Sequence, residues 1–219
     1  MDELMTIMAG IGLATGAGAK AFIPLLALGG FHYTPYFELS PRFTWLADPA
    51  VLTILGALVV LEIVVDAHPD LGRYSDVVAY LPKVVAGFIG FAAVTGQLDS
   101  DIAHLGTSGI LGAGTAGAVH WLRTKLRRPF RDFAEDAHES AGKAASLAEA
   151  GASASLAGTS VVAPPVSMAL ALVVVGGSVV AARRAARRRV PCVHCGEAIR
   201  PGALVCPHCK LEQDPGRSA

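Results

Sequence analysis

The sequence predicts an all-α integral membrane helical bundle followed by a small C-terminal zinc ribbon. Hydrophobic residues make up 53% of the 219-residue chain and charged residues 16%, whereas soluble domains average about 25% charged residues. The mean hydropathy is +0.49. With 24 glycines and only 6% aromatic residues, the apolar mass is mainly Ala, Val, Leu and Gly, which suits closely packed membrane helices. Two Cys-x-x-Cys pairs near the C-terminus indicate the ribbon.

Residues 1–182 form the predicted transmembrane domain. A spanning helix needs about 20 mostly apolar residues, and five segments approach or exceed that length. They lie near residues 4–31, 49–66, 77–96, 102–122 and 161–182. The first segment contains Lys20 and Pro24, so it is either one kinked helix or two half-helices. Its start is acidic and lacks the basic region of a secretory signal, so we expect it to be retained.

The stretches between and after these segments are polar. Residues 123–143 predict an amphipathic helix on the membrane surface, and residues 144–160 predict a linker or a weak helix. Residues 183–191 form a basic linker. Two basic clusters favour the cytosolic side, although a single predicted span separates them. Either the 144–182 stretch dips in and returns, or one cluster violates the rule. We assign the second cluster, and with it the C-terminus, to the cytosol.

The strongest local motif is the ribbon at residues 192–211. Its predicted ligands are Cys192, Cys195, Cys206 and Cys209, and ten residues separate the two pairs. Four thiolates in two such pairs surround Zn²⁺ tetrahedrally. Disulfide bonds are the alternative, which the predicted cytosolic location disfavours. A closed four-sulfur site has no open position for catalysis, and His194 and His208 within the pairs are predicted to be exposed bystanders.

Ionisable residues within apolar segments are costly unless paired or hydrated, so they are candidate functional residues. They are Lys20, Glu62, Asp66, Lys83 and His120. One interpretation is a polar pathway, or a cation or proton site, between helices. The other is structural, either a buried ion pair in which Lys20 or Lys83 neutralises Glu62 or Asp66, such as Glu62 with Lys20, or side chains that reach water from span ends. We predict the latter for Asp66 and Lys83.

Few motifs point to catalysis or nucleic-acid binding. The Asp66-Ala-His68-Pro-Asp70 sequence contains metal-ligand residue types but is typical of a solvated loop. The sequence contains no Ser/His/Asp or Cys/His arrangement and no phosphate-binding loop, so we expect no enzyme. The balance of 18 basic and 18 acidic residues argues against a nucleic-acid partner.

Four stretches carry a resemblance to a known family. They are Gly10–Gly29, Phe43-Thr-Trp-Leu46, Leu61-Glu-Ile-Val-Val-Asp66 with Pro69 and Asp76, and Gly117-Ala-Val-His120. Over roughly residues 8–182 the chain resembles the domain-of-unknown-function family DUF4126, bacterial membrane proteins. The resemblance implies a multispanning inner-membrane protein and brings no established activity. It does not cover the ribbon.

Two functions remain open from the sequence. The first is a small transporter- or channel-like protein with a cytosolic zinc ribbon for regulation or partner docking. The second is a membrane-anchored scaffold whose ribbon binds a cytosolic protein. In either case the lipid bilayer is the expected surrounding, and the Gly/Ala helix faces allow a homo-oligomer. An anchor needs only one or two spans and no buried charge, which favours transport.

Overall fold

The computed structural model describes residues 3–67, 78–96, 102–137, 139–187, 189–199, 203, 205–206 and 208–213. Within these ranges lie seven α-helices, one short 3-10 helix and two short strands. The helices are α1 (Glu3–Ala19), α2 (Phe22–Phe31), α3 (Pro49–Ala67), α4 (Tyr80–Thr95), α5 (Ile102–Ala137), α6 (Glu139–Val162) and α7 (Pro164–Arg187). The 3-10 helix is Thr44–Ala47, and the strands are β1 (Val190–Pro191) and β2 (Ala198–Ile199). The chain divides into two compact units, one ending at Gly176 and the other beginning at Gly177.

The predicted segments correspond to helices with several differences. The first segment is two helices that break at Lys20, which agrees with the half-helix alternative. The segment predicted at 102–122 is the start of the 36-residue helix α5, so no separate surface helix begins at residue 123. The side chains of residues 126–143 lie outside the described part. The linker alternative for residues 144–160 was wrong, because they belong to α6.

Helix α3 is the described helix that is long and apolar enough to cross a membrane by itself. Its 18-residue window, Pro49–Asp66, has only 11% of its residues buried within the fold. A core helix of a soluble protein would be mostly buried, so α3 presents an apolar surface that needs another covering. Helices α1, α2 and α4 are apolar but shorter. Helix length therefore gives weak evidence for membrane association and none for several crossings.

Small residues set the spacing between helices in the first unit. A Cβ atom on Gly12 of α1 would collide with the hydroxyl groups of Ser160 and Ser167, and Gly87 of α4 lies against the backbone of Gly112 in α5. Such contacts are possible only where at least one residue lacks a side chain, as in closely packed membrane helices. The small-residue composition thus determines how closely these helices approach.

Helix α6 and the start of α7 bury a stripe of small residues at alternating spacings of four and three. The stripe consists of Ser146, Ala150, Ser153, Ala157, Ser160, Pro164, Ser167 and Ala171. Both α6 and the start of α7 run antiparallel to α1, because Ser153 Oγ donates to Gly16 O at 3.0 Å and Ser167 Oγ donates to Met8 O at 3.4 Å. A search for large apolar residues misses this pattern, so the sequence indicated only a linker or a weak helix for residues 144–160.

The second unit contains a minimal sheet. Strands β1 and β2 pair antiparallel, with Val190 opposite Ile199, and an isolated bridge joins Val205 and Glu212. Its buried cluster consists of Cys192, Cys206 and Ile199. Since so little apolar surface is buried here, the cysteines are central to the stability of this unit.

Candidate metal centre and buried charge cluster

Each Cys-x-x-Cys pair forms the same tight turn. In the first pair, the Cys192 N–H donates to Glu197 O at 2.8 Å and the Gly196 N–H donates to Cys192 O at 3.0 Å. The second pair repeats both bonds fourteen residues later, at 2.9 and 2.8 Å. The residue after each second cysteine has positive φ, 74° at Gly196 and 58° at Lys210. Glycine adopts this conformation without strain.

The four cysteine sulfurs lie in one cluster. Cys192 Sγ is 3.8 Å from Cys209 Sγ, Cys195 Sγ is 3.7 Å from Cys206 Sγ, and all four lie within 4.8 Å of one another. Zinc–thiolate bonds of about 2.3 Å in a tetrahedron place the sulfurs about 3.8 Å apart. The four cysteines therefore fit a metal ion such as zinc. His194 and His208 are exposed and do not belong to the cluster.

Backbone and side-chain amides support the cluster. The backbone N–H groups of Cys195 and His194 point at the Cys192 sulfur and lower the pKa of that thiol to about 6. At Cys195 the Glu197 N–H acts in the same direction, but desolvation and the other three thiols outweigh it and raise the pKa to about 12. Without a cation, the cluster therefore favours a thiolate at Cys192 and a thiol at Cys195. Gln213 is buried beside the first turn. Its Oε1 accepts the Val193 N–H at 3.3 Å. Such bonds orient the turns around the ligands.

A second cluster of polar residues is buried in the first unit, beginning at the α1–α2 break. Lys20 Nζ donates to Asp66 Oδ2 at 2.6 Å and to Ser146 Oγ at 3.2 Å, and its side chain is fully buried. The Ser146 hydroxyl in turn donates to Ile63 O at 3.3 Å. Lys20 thus ties the break to both α3 and α6.

Asp66 binds a second cation. Arg123 Nη2 lies 2.7 Å from Asp66 Oδ2 and 2.5 Å from Glu149 Oε2. The chain Lys20–Asp66–Arg123–Glu149 therefore joins four helices or helix ends through alternating charges. Each link is a charge-assisted hydrogen bond, which is the strong class.

Glu62 and Lys83 form a looser pair. Glu62 Oε1 accepts the Ala21 N–H at the start of α2, at 3.0 Å. Lys83 Nζ lies 3.8 Å from the same oxygen, which is too far for a hydrogen bond. Within the described ranges, Lys83 Nζ and Glu62 Oε2 are buried and have no hydrogen-bond partner.

The structure pairs these charges differently from the Lys20–Glu62 example. Lys20 pairs with Asp66, and Lys83, the other lysine considered as a partner, lies 3.8 Å from Glu62. The prediction that the side chains of Asp66 and Lys83 reach water was wrong, since they are 2% and 0% exposed. Distance from a helix end indicates depth along the axis but not which face is covered. Here the end of α3 and the start of α4 both face the bundle interior.

The structure adds residues that sequence reasoning missed. Arg123 belongs to the stretch predicted as a surface helix, and Ser146 and Glu149 belong to the stretch predicted as a linker or a weak helix. Helical spacing could have indicated them. Arg123 follows His120 by three residues and Glu149 follows Ser146 by three, which places each pair on one helix face. His120 is buried, with its ring edge-on to Tyr80 at 5.6 Å between centroids. His68 and Asp70 lie outside the described residues.

Among the described residues, three cations and three carboxylates form this charge cluster. They are Lys20, Lys83, Arg123, Glu62, Asp66 and Glu149. Lys20 follows the end of α1, Glu62 and Asp66 lie near the end of α3 and Lys83 near the start of α4, whereas Arg123 lies within α5 and Glu149 within α6. A groove of about 170 Å³ opens beside Glu62, between apolar side chains that include Phe22, Leu58, Leu61, Val65 and Pro82.

Comparison with known proteins identifies the family and nothing beyond it. The family described as "Domain of unknown function (DUF4126)" matches residues 7–184, which include all seven helices except the first residues of α1 and the last of α7. No curated protein and no solved structure matches the chain. The ribbon lies outside the matched range. The resemblance seen in the sequence is thus confirmed, and the chain belongs to the DUF4126 family.

Proposed function

We propose that this chain is a multi-pass inner-membrane protein that moves a small ion or solute past the Glu62–Lys83 pair. The observation that carries the proposal is this buried pair of opposite charges. Both residues have a buried atom without a hydrogen-bond partner among the described residues, and Glu62 lines an open apolar groove. A carboxylate and an ammonium group 3.8 Å apart are not joined by a short hydrogen bond, so they can move apart to admit water, a proton or an ion.

Support for several crossings comes from apolar side chains exposed on helices other than α3. They include Val85 and Phe88 on α4, Ile110 and Leu111 on α5, and Leu172 and Val173 on α7. Lipid covers such surfaces at no cost, whereas water does not. The intra-helical backbone bonds of these segments also meet the requirement of the bilayer core.

The arginines at 183–189 assign the C-terminus to the cytosol in this proposal. Helices α6 and α7 follow one another in the same direction along α1, because Ser153 contacts Gly16 and Ser167 contacts Met8. They therefore make up a single crossing between the two basic clusters, and the cluster that begins at Arg123 departs from the rule. Alkaline phosphatase fused after Ala219 should be inactive, and activity of that fusion contradicts this orientation.

The remaining charges have a separate role in this proposal. Bonds of 2.5 to 2.7 Å join Lys20, Asp66, Arg123 and Glu149 into one ion-pair network. In this proposal the network holds the helices in place. The Glu62–Lys83 pair is connected to this ion-pair network through α3, since Glu62 and Asp66 lie about one helical turn apart.

Flux through proteoliposomes tests the transport proposal. The wild-type protein should dissipate a proton or ion gradient, and Glu62→Gln should abolish the flux while the protein elutes as the same species from a sizing column. Glu38→Gln is a matched control, because Glu38 is exposed. A wild-type protein that carries no tested ion, together with recovery of stability in a Glu62→Gln/Lys83→Met double variant, would refute transport.

A second candidate is a membrane-anchored docking protein whose ribbon binds a cytosolic protein. The observation that favours it is that Lys20, Asp66, Arg123 and Glu149 bond to one another, as expected of an ion-pair network that only stabilises the bundle. In this case a chain that ends before Val190 should keep a folded bundle and lose its partner in crosslinking experiments, and Glu62→Gln should leave the crosslinks unchanged.

A further inference from the structure

We propose that the start of α2 and Lys83 form a binding site for a small monocarboxylate with a short apolar tail, and that Glu62 occupies this site as a resident carboxylate. The inference deepens the proposed function, and it rests on that function only for the claim that the bound monocarboxylate is the transported substrate. The binding site itself rests on the geometry of Ala21, Glu62, Lys83 and the adjoining groove.

The first part of the site is the N-terminus of α2. The Ala21 N–H donates to Glu62 Oε1 at 3.0 Å, and α2 has ten residues. Backbone N–H groups at a helix start are unsatisfied within the helix and carry partial positive charge, so they attract carboxylates. Broken membrane helices use such ends to bind anionic groups of substrates. Here the acceptor comes from the neighbouring helix α3.

The second part is Lys83, which provides an independent indication of a ligand. Its side chain is fully buried, its Nζ lies 3.8 Å from Glu62 Oε1, and no hydrogen bond to Nζ exists within the described part of the chain. A buried ammonium group has three donors to satisfy. A carboxylate placed slightly closer than Glu62 would accept from both Lys83 and Ala21.

The third part is the groove, which determines the rest of the ligand. Its volume of about 170 Å³ resembles the 150 Å³ apolar cavity that accommodates benzene and is below the range of about 300 to 1,000 Å³ for drug-sized ligands. Phe22, Leu58 and Leu61 are among its walls. A tail of a few carbon atoms fits this space, so the site matches a short-chain monocarboxylate such as butyrate.

Glu62 has to leave the two donors before such a ligand binds. Wild-type protein should therefore bind butyrate weakly, and removal of the Glu62 carboxylate should expose the site. Titration calorimetry on the full-length protein in detergent tests this expectation. Glu62→Ala should bind butyrate at least tenfold more tightly than wild type. Adding Lys83→Met to Glu62→Ala should remove the gain, and Glu38→Ala should show none.

Three probes distinguish the head of the ligand from its tail. Formate supplies the carboxylate alone, butanol supplies the tail alone, and dodecanoate represents a lipid-derived anion. In the Glu62→Ala background, butyrate and formate should bind and butanol should not. Leu58→Trp, which fills the groove, should reduce butyrate binding and leave formate binding unchanged.

Several results would overturn the site. They are no gain in Glu62→Ala, a gain that survives Lys83→Met, or binding of dodecanoate without butyrate. If Glu62→Ala does not fold, Glu62→Ser supplies the same comparison, since its short side chain also leaves the two donors free. Because binding is measured without flux, butyrate binding without flux would refute transport alone. Flux without butyrate binding would refute only the site.

Discussion

The ribbon and the buried charge cluster bring polar side chains together in opposite ways. The ribbon brings together four cysteines, which as thiolates are all anions, within 4.8 Å. The charge cluster, among the described residues, brings together three cations and three carboxylates. The first arrangement repels itself without a cation, and in the second each described charge lies beside an opposite one. We therefore expect the ribbon to depend on a metal ion and the bundle to be independent of it.

Metal removal should have the largest effect and should separate the two regions. Structural zinc contributes about 10–16 kcal/mol of apparent folding free energy in small domains. A strong chelator, or the Cys192→Ser/Cys206→Ser variant, should unfold the ribbon and leave the bundle folded. Metal analysis should find about one zinc per wild-type chain. Amide hydrogen exchange should then increase in residues 190–213 alone. Zinc retained by the double variant would contradict the proposed ligands.

Loss of one carboxylate from the charge cluster should have the next largest effect. Asp66 contacts both Lys20 and Arg123, so Asp66→Asn leaves two buried cations with too few anions. Breaking a buried pair in this way costs about 3–5 kcal/mol. Thermal unfolding in detergent measures the loss. Glu149→Gln is the control, since the Glu149 side chain is 25% exposed and should cost much less. Equal effects of the two variants would show that Asp66 is not the centre of the network.

Side-chain size at the bundle interface should have a moderate effect. Gly12→Ala places a methyl group against the hydroxyls of Ser160 and Ser167, and overpacking of this kind costs about 1–3 kcal/mol. Gly56→Ala is the control, because a Cβ there meets nothing within 4 Å. Thermal unfolding should show a lower midpoint for the first variant and no loss for the second.

The two cysteine turns offer the smallest and most local comparison. Gly196→Ala puts a side chain on a residue with φ of 74°, and Lys210→Gly removes one from a residue with φ of 58°. The left-handed conformation costs about 1–2 kcal/mol for residues other than glycine. Zinc affinity, measured by competition with a chromophoric chelator, should fall in Gly196→Ala and rise slightly in Lys210→Gly. A fall in both would show that the turns are not equivalent.

The sequence allowed the clustering of the four cysteines to be predicted, since two Cys-x-x-Cys pairs at this spacing can face one another. The charge cluster was only half predictable. Lys20, Glu62, Asp66, Lys83 and His120 stand out as ionisable residues in apolar segments, but their partners depend on which helix faces meet. Arg123 was hidden within a run of basic residues. Ser146 and Glu149 were not predicted, because the buried face of α6 consists mainly of serine and alanine, and a search for periodic large apolar residues does not detect such a face.

The stripe of serine and alanine along α6 has a consequence for helix register. Large interlocking side chains normally permit only one alignment of two helices. On α6 serine recurs every seven residues, at positions 146, 153 and 160, so a slide of about 10 Å along the axis would present nearly the same surface to α1. The glycines of α1 offer little to oppose that slide. The charge cluster determines the register, because Lys20 and Arg123 meet their partners on α6 in one alignment only. In this bundle the small residues let the helices approach, and the ion pairs fix their axial alignment.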